Sequence, residues 1–293
     1  MSGQFFRVSD SGISTVLSAV LLLGLFVSVV TVFNVHYVPE WKADAERAHM
    51  DEVYDDMSRL KTGGDLIALS TSVDPDTITS LSVPITMGGG YIPIVGASKS
   101  SGSLSINDNI CSMQIVASNS TSGNTYNFNM DNRGSIIYSS NNNYYVDQVL
   151  IYENGALLLS QNNRSIMKLS PSIYIRHLCG NNYSVNVNSI SLRGDTRSVS
   201  SSGTQDVRLD SQSSVWLFRN NESLTDVTIS VNSNYPSSWA EYFNTSAFSA
   251  GLTYSTDFTV VEGDDYARIS ISPAGHLELY LKESTIEIST GIF

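Results

Sequence analysis

Three patterns of apolar and polar positions divide the chain. The first is an apolar run from Ser11 to Val38, 28 residues without a Lys, Arg, Asp or Glu. As a helix rising about 1.5 Å per residue it would be about 42 Å long, more than the ~30 Å hydrocarbon core of a bilayer. The second pattern runs from Glu40 to Lys61. Trp41, Ala45, Ala48, Val53, Met57 and Leu60 recur there at mainly three- and four-residue steps, which predicts an amphipathic helix over 39–62. Its other face carries Lys42, Asp44, Glu46, Arg47, Asp51, Glu52, Asp55 and Asp56 and is expected in solvent. Gly63 and Gly64 are expected to stop this helix, with Lys61 in its last turn. Pro39 either opens it at the first turn or kinks a continuous helix.

The third pattern, from Asp65 onward, is one of short alternating runs separated by turn residues, the mark of antiparallel β structure. Strands are expected at Ser112–Ala117, Ser135–Ser139, Ser172–His177, Tyr183–Leu192, Val207–Leu209, Val215–Phe218, Val227–Val231, His276–Leu281 and Thr285–Ser289. Val149–Tyr152 and Ala156–Ser160 flank Asn154-Gly155, a hairpin with the positive φ of a type I′ turn. Phe258–Glu262 and Ala267–Ser272 flank Gly263-Asp264-Asp265 as a second hairpin. In Tyr183–Leu192 the apolar positions Val185, Val187, Ile190 and Leu192 change phase once, as a bulge would allow. Ser238 and Glu241 form a capping box for a helix that places Trp239, Tyr242 and Phe243 on a face. Ser98–Ser105 and Ser198–Gly203 read as loops. The expected fold is α+β, mostly β. A long N-terminal helix, transmembrane over 11–38 and amphipathic over 39–62, leads to an antiparallel β-sandwich head over 65–293. That head is either one elongated sandwich or two subdomains split near residue 200.

Composition sharpens the setting. The net charge of -12 and a pI near 4.6 exclude a nucleic-acid binder, which needs basic patches. Charged residues are only 15%, with Ser, Thr, Asn and Tyr in their place, as suits an extracytoplasmic β-rich head. Cys111 and Cys179 both follow the apolar run and would form one bridge in an oxidising compartment. Five permitted N-glycosylation acceptors follow it too, at Asn119, Asn163, Asn182, Asn221 and Asn244. Residues 1–10 hold a single base, Arg7, and no A-x-A site follows the apolar run. This favours a retained helix over a removed signal. Arg7 on one side and Lys42 and Arg47 on the other leave the positive-inside rule nearly silent. The acidic, sequon-bearing part sets the expected topology instead: a single-pass protein of the cell membrane with its N-terminus in the cytoplasm.

A search for chemistry finds no catalytic set, cofactor loop or metal site. The four histidines are His36, His49, His177 and His276, with no H-E-x-x-H, Cys-x-x-Cys or G-x-S-x-G. His177 and Cys179 lack a third ligand. The glycines at 88–90 lack the spacing to Lys99 that a phosphate loop requires.

The stretch VSDSGISTVLSAVLLLGLF, running into HYVPEWKADAERAHMDEVYDDMSRLK, resembles the N-terminal segments of archaeal type IV pilin-like proteins and of a membrane-anchored subgroup among them. The resemblance covers about the first 60 residues. It implies a β-rich head on a long helix, held in the lipid bilayer or packed with copies of itself or other pilin-like subunits. Ser14, Ser18, Ala19 and Gly24 are the small residues that would permit close helix contact. Leaders of this kind end in Lys or Arg followed by Gly or Ala. Here Arg7 precedes Val8 and Ser11 precedes Gly12, so a permanent anchor is expected rather than a cleaved filament subunit. The expected function is that of a non-catalytic, pilin-like surface protein in structure or adhesion. The alternative is a single-pass anchored binding domain for a glycan or protein.

Overall fold

The N-terminal patterns fold as one helical run. Helix α1 spans Ser11–Val32, a π-helical turn spans Phe33–Tyr37, and α2 spans Val38–Val73. The computed structural model describes residues 11–74, 77–89, 91–92, 96–97, 100–108, 111–219 and 223–291. Pro39 stands just after the wide turn. A proline lacks the N–H that an α-helix needs and its ring crowds the carbonyl four residues back, so the π turn lets the chain pass it without breaking. Nor does the helix stop at Gly63 and Gly64, as the sequence suggested; it runs on for nine residues more. These glycines are points of close approach instead. A Cβ on Gly63 would run into the Leu81 side chain, and one on Gly64 into the Tyr152 hydroxyl.

The strands that follow are β1 (Ser80–Thr86), β2 (Tyr91–Ile92), β3 (Gly96–Ala97), β4 (Ser101–Ile106), β5 (Cys111–Asn119) and β6 (Asn124–Arg133). Next come β7 (Ser135–Asn141), β8 (Val149–Glu153), β9 (Ala156–Gln161), β10 (Arg164–Leu169), β11 (Ile173–His177) and β12 (Tyr183–Arg193). The chain continues through β13 (Arg197–Ser201), β14 (Thr204–Arg219), β15 (Asp226–Asn232), helix α3 (Pro236–Ser249), β16 (Phe258–Glu262), β17 (Tyr266–Ile271) and β18 (Leu277–Thr290). Three main sheets result, in the orders β1-β14-β18-β12-β11, β10-β9-β8-β7-β4-β13 and β16-β17-β15-β5-β6. All their pairings are antiparallel except β12 with β18. The fold is therefore α+β and mostly β. Asn154 and Gly155 take φ of 49° and 78°, as the β8–β9 hairpin requires.

Two apolar cores lie between these layers. One gathers α3, the third sheet, and Ile137, Ile151 and Leu158 of the second. The other gathers Val53, Met57, Leu60 and Ile67 of α2 with Val83, Ile85, Tyr138, Tyr152 and Leu209. Adjacent residues of a strand point to opposite faces, so β7 and β8 serve both cores at once. The first sheet also serves both, but by switching. Val185 and Val187 of β12 enter the first core, and Ile190 and Leu192 the second. In β18, Leu277, Leu279 and Leu281 enter the first, and Ile286 and Ile288 the second. The phase change in β12 is this switch and not a bulge: the register with β18 runs unbroken from Tyr183↔Leu277 to Arg193↔Glu287.

Residue 200 divides nothing. β13 pairs with β4 and β15 with β5, so both cores draw on both halves of the head. The expected loops at Ser98–Ser105 and Ser198–Gly203 are in large part strands β4 and β13. In β4 the serines face outward while Gly102, Leu104 and Ile106 face in. At α3 the capping box is absent: Pro236 opens the helix, and the buried Ser238 donates to Ser165 at 2.7 Å. Trp239 and Phe243 are buried on its inner face as expected.

Candidate functional site at the seat of the helix

From Thr15 to Val32 every residue is exposed, in a helical run long and apolar enough to cross a membrane. Its polar side chains fold back onto the helix. Ser28 donates to Gly24 O at 2.8 Å, Thr31 to Val27 O at 2.7 Å and Asn34 to Val30 O at 2.8 Å. Such self-satisfaction is what a hydrocarbon surround demands. Phe33, Tyr37 and Trp41 follow on one ridge, with ring centroids 5.3 to 6.5 Å apart. Aromatic clusters of this kind suit the membrane–water interface. Of the small residues expected to pack helices, Ser18, Ala19 and Gly24 lie on the exposed surface of α1, and Ser14 lies in the same helix. At about 100° per residue, Ser14, Ser18 and Gly24 share a third of the circumference and Ala19 stands outside it.

Immediately beyond the aromatic ridge the helix enters the head, and there polar residues take inward positions. Glu46 is fully buried and accepts the backbone amides of Asn143, Tyr144 and Tyr145 at 2.7 to 3.1 Å. Successive amides curled around one carboxylate make an anion nest, and here the anion is the helix's own. One turn earlier, Lys42 lies 4.8 Å from the centre of the Tyr144 ring and donates to its hydroxyl at 3.2 Å. The β7–β8 loop is thus gripped twice. His49 Nε2 meets the Tyr138 hydroxyl at 3.2 Å, and that hydroxyl donates to Met87 O at 3.1 Å. Burial holds His49 below the usual histidine range, against the opposing pull of Glu52, Asp56 and Glu46. Asp56 accepts the Thr86 amide at 3.0 Å and Arg59 at 3.2 Å.

The expected solvated face is corrected accordingly. Glu46 and Asp56 are buried, whereas Ala48, expected inside, is exposed. Periodicity counts polarity, and these acids are inward because the head supplies donors that the helix sequence does not display.

Deeper in the head, Glu153 is buried, taking Trp239 Nε1 at 2.8 Å and the Ser233 hydroxyl. Burial raises its carboxyl above the ordinary range. Cys111 and Cys179 form no disulfide: Cys111 is buried at the start of β5, while Cys179 is exposed in the turn after β11. His177 Nε2 bonds Gly180 O at 2.7 Å in that same turn. Among the described residues no three His, Cys, Asp or Glu side chains gather where they could hold a metal ion.

The acceptor asparagines differ in access. Asn163 is exposed in the β9–β10 turn. Asn119 is 8% exposed and caps its own turn through Thr121 N and Ser122 N. Asn182 accepts His276 N at 2.9 Å, Asn244 is half-buried on α3, and Asn221 lies outside the described residues.

Comparison with known proteins places the head. No curated protein and no solved structure matches the chain. A family of unknown function, DUF7289, matches residues 97–288, about two thirds of the chain, from β3 into β18. The long helix and β1 precede the matched region. The chain belongs to the DUF7289 family.

Proposed function

We propose that the protein is a membrane-anchored, pilin-like surface protein with a structural or adhesive role and no catalytic one. α1 is its single membrane span, the N-terminus is cytoplasmic and the head stands outside the cell membrane. The observation that carries this reading is the abrupt change along one unbroken helix. Residues 15–32 are apolar and exposed on every side, while α2 from Glu46 on is clamped into the head. Five residues separate Trp41 from Glu46, about 7.5 Å of helix, so the head would sit close above the interface. The buried acids of the head support a structural role, since Glu46, Asp56 and Glu153 are each occupied in holding elements together. The bilayer is the expected partner, and copies of this chain or related subunits could pack along α1.

Alkaline carbonate extraction of membranes tests the anchor. The whole chain stays in the membrane pellet and detergent releases it, whereas a chain lacking 11–32 is recovered as soluble protein. Release of the whole chain by carbonate alone would overturn the span.

A further inference from the structure

The switch of faces in the first sheet leaves part of that sheet uncovered. α2 covers the face that carries Ile286 and Ile288. Lys282 marks where this cover begins: it is 6% exposed and donates to Ser72 in the last turn of α2. Past Lys282 the same face emerges from under the helix. Cross-strand partners share a face, and the register Trp216↔Lys282↔Asn188 and Tyr280↔Asn186↔Tyr174 puts these residues side by side. The end of α2 and this open face border a shallow cavity of about 240 Å³ that opens to solvent.

Lys282 is the charged residue of its lining, and two further cations stand on the rings of Trp216 and Tyr174 at its margin. Arg219 lies 4.5 Å and Lys282 5.2 Å from the centre of the Trp216 ring, and Arg176 lies 5.5 Å from that of Tyr174. Among the described residues none of the three cations is in an ion pair. In a chain with 28 acidic and 16 basic residues, three bases held on aromatic rings rather than on carboxylates leave a place for an outside anion. Glu278, on the same face, accepts the Tyr280 hydroxyl. The amides add directional groups: Asn188 Oδ1 accepts Ser284 and Asn186 Nδ2 donates to Ser184, which leaves Asn188 Nδ2 and Asn186 Oδ1 for a ligand. Tyr174 presents a half-exposed ring beside them.

We propose that this corner binds an acidic sugar residue, a uronate of a surface polysaccharide. Its carboxylate meets Lys282 and Arg219, its hydroxyls meet Asn186 and Asn188, and its ring packs on Tyr174. The cavity is smaller than the ~300–1,000 Å³ of a pocket for a whole ligand, as suits one residue of a polymer that continues into solvent. The proposal rests on the reading that the head faces the cell exterior.

Calorimetric titration of the whole chain in detergent micelles tests it, with oligogalacturonate, a neutral malto-oligosaccharide of equal length and inorganic sulfate as probes. Saturable binding of the acidic oligomer is expected, at least tenfold tighter than either of the others and weakened by salt. Arg219→Gln, at an exposed position, and Lys282→Gln should each weaken it by about tenfold or more, the loss of one charge-assisted hydrogen bond. Equal binding of the neutral oligomer, binding of sulfate as tight as that of the uronate, or an Arg219→Gln variant that binds like the parent would each overturn the proposal. The titration does not depend on membrane orientation. Binding in micelles together with carbonate release would sink the anchor alone, and the reverse pair of results would sink this site alone.

Discussion

Gly64 shows how much one hydrogen in place of a methyl can decide. A Cβ there would meet the hydroxyl of Tyr152, a rigid side chain with no exposed surface. Alanine favours a helix over glycine by about 1 kcal/mol. Overpacking a filled site costs about 1–3 kcal/mol and outweighs that gain. Gly64→Ala should therefore lower the thermal midpoint, while Gly24→Ala, whose new methyl meets nothing within 4 Å, should not. Thermal unfolding of the two variants beside the parent checks both.

Two buried groups set opposite pH dependences. Burial holds the Glu153 carboxyl above its ordinary value of 4.5, so the folded state binds the extra proton and stability falls as pH rises from there towards the raised value. His49 is held below 6.5, so the folded state binds fewer protons and stability falls as pH drops below 6.5. Glu153→Gln keeps an acceptor for Trp239 and should flatten the decline above pH 4.5, leaving the His49-linked decline in place. Unfolding midpoints measured across that range show whether the slope changes.

The elements were unevenly legible in the sequence. Apolar runs joined by a recognisable turn, such as β8 and β9 around Asn154-Gly155, appear where that turn puts them. The pattern misled where one residue type serves two purposes. Gly63 and Gly64 carry the signature of a helix stop, yet they serve the approach of Leu81 on the next strand and of Tyr152 on β8, far along the chain. The serines of β4 and β13 read as loop because the two strands pair with each other across about a hundred residues of chain. The corner at Lys282 was invisible for the same reason: α2, β11, β12, β14 and β18 must all be placed before it exists.

The same division of labour predicts the effect of truncation. α1 buries none of residues 15–32, so removing 11–32 should leave the unfolding midpoint of the head unchanged. Cutting instead after Lys61 removes Val53, Met57 and Leu60, each fully buried and worth about 1.5–3 kcal/mol. That shorter head should fail to fold cooperatively. Circular dichroism melts of the two truncated chains distinguish these outcomes.

At the scale of the whole molecule, the helix is both stalk and structural member. Its first half can face lipid because it needs nothing from the head, and its second half is a wall of one of the two cores. The head is therefore joined to the apolar segment through a helix that is part of its own core. Its placement outside the membrane is the claim on which surface function turns, and Cys179 offers a probe because it is exposed while Cys111 is buried. Intact cells are treated with a mild reductant and then a membrane-impermeant maleimide. Labelling of the whole chain before lysis, and its loss in the Cys179→Ser variant, is the predicted result. Labelling that appears only after the cells are broken would place the head inside and contradict it.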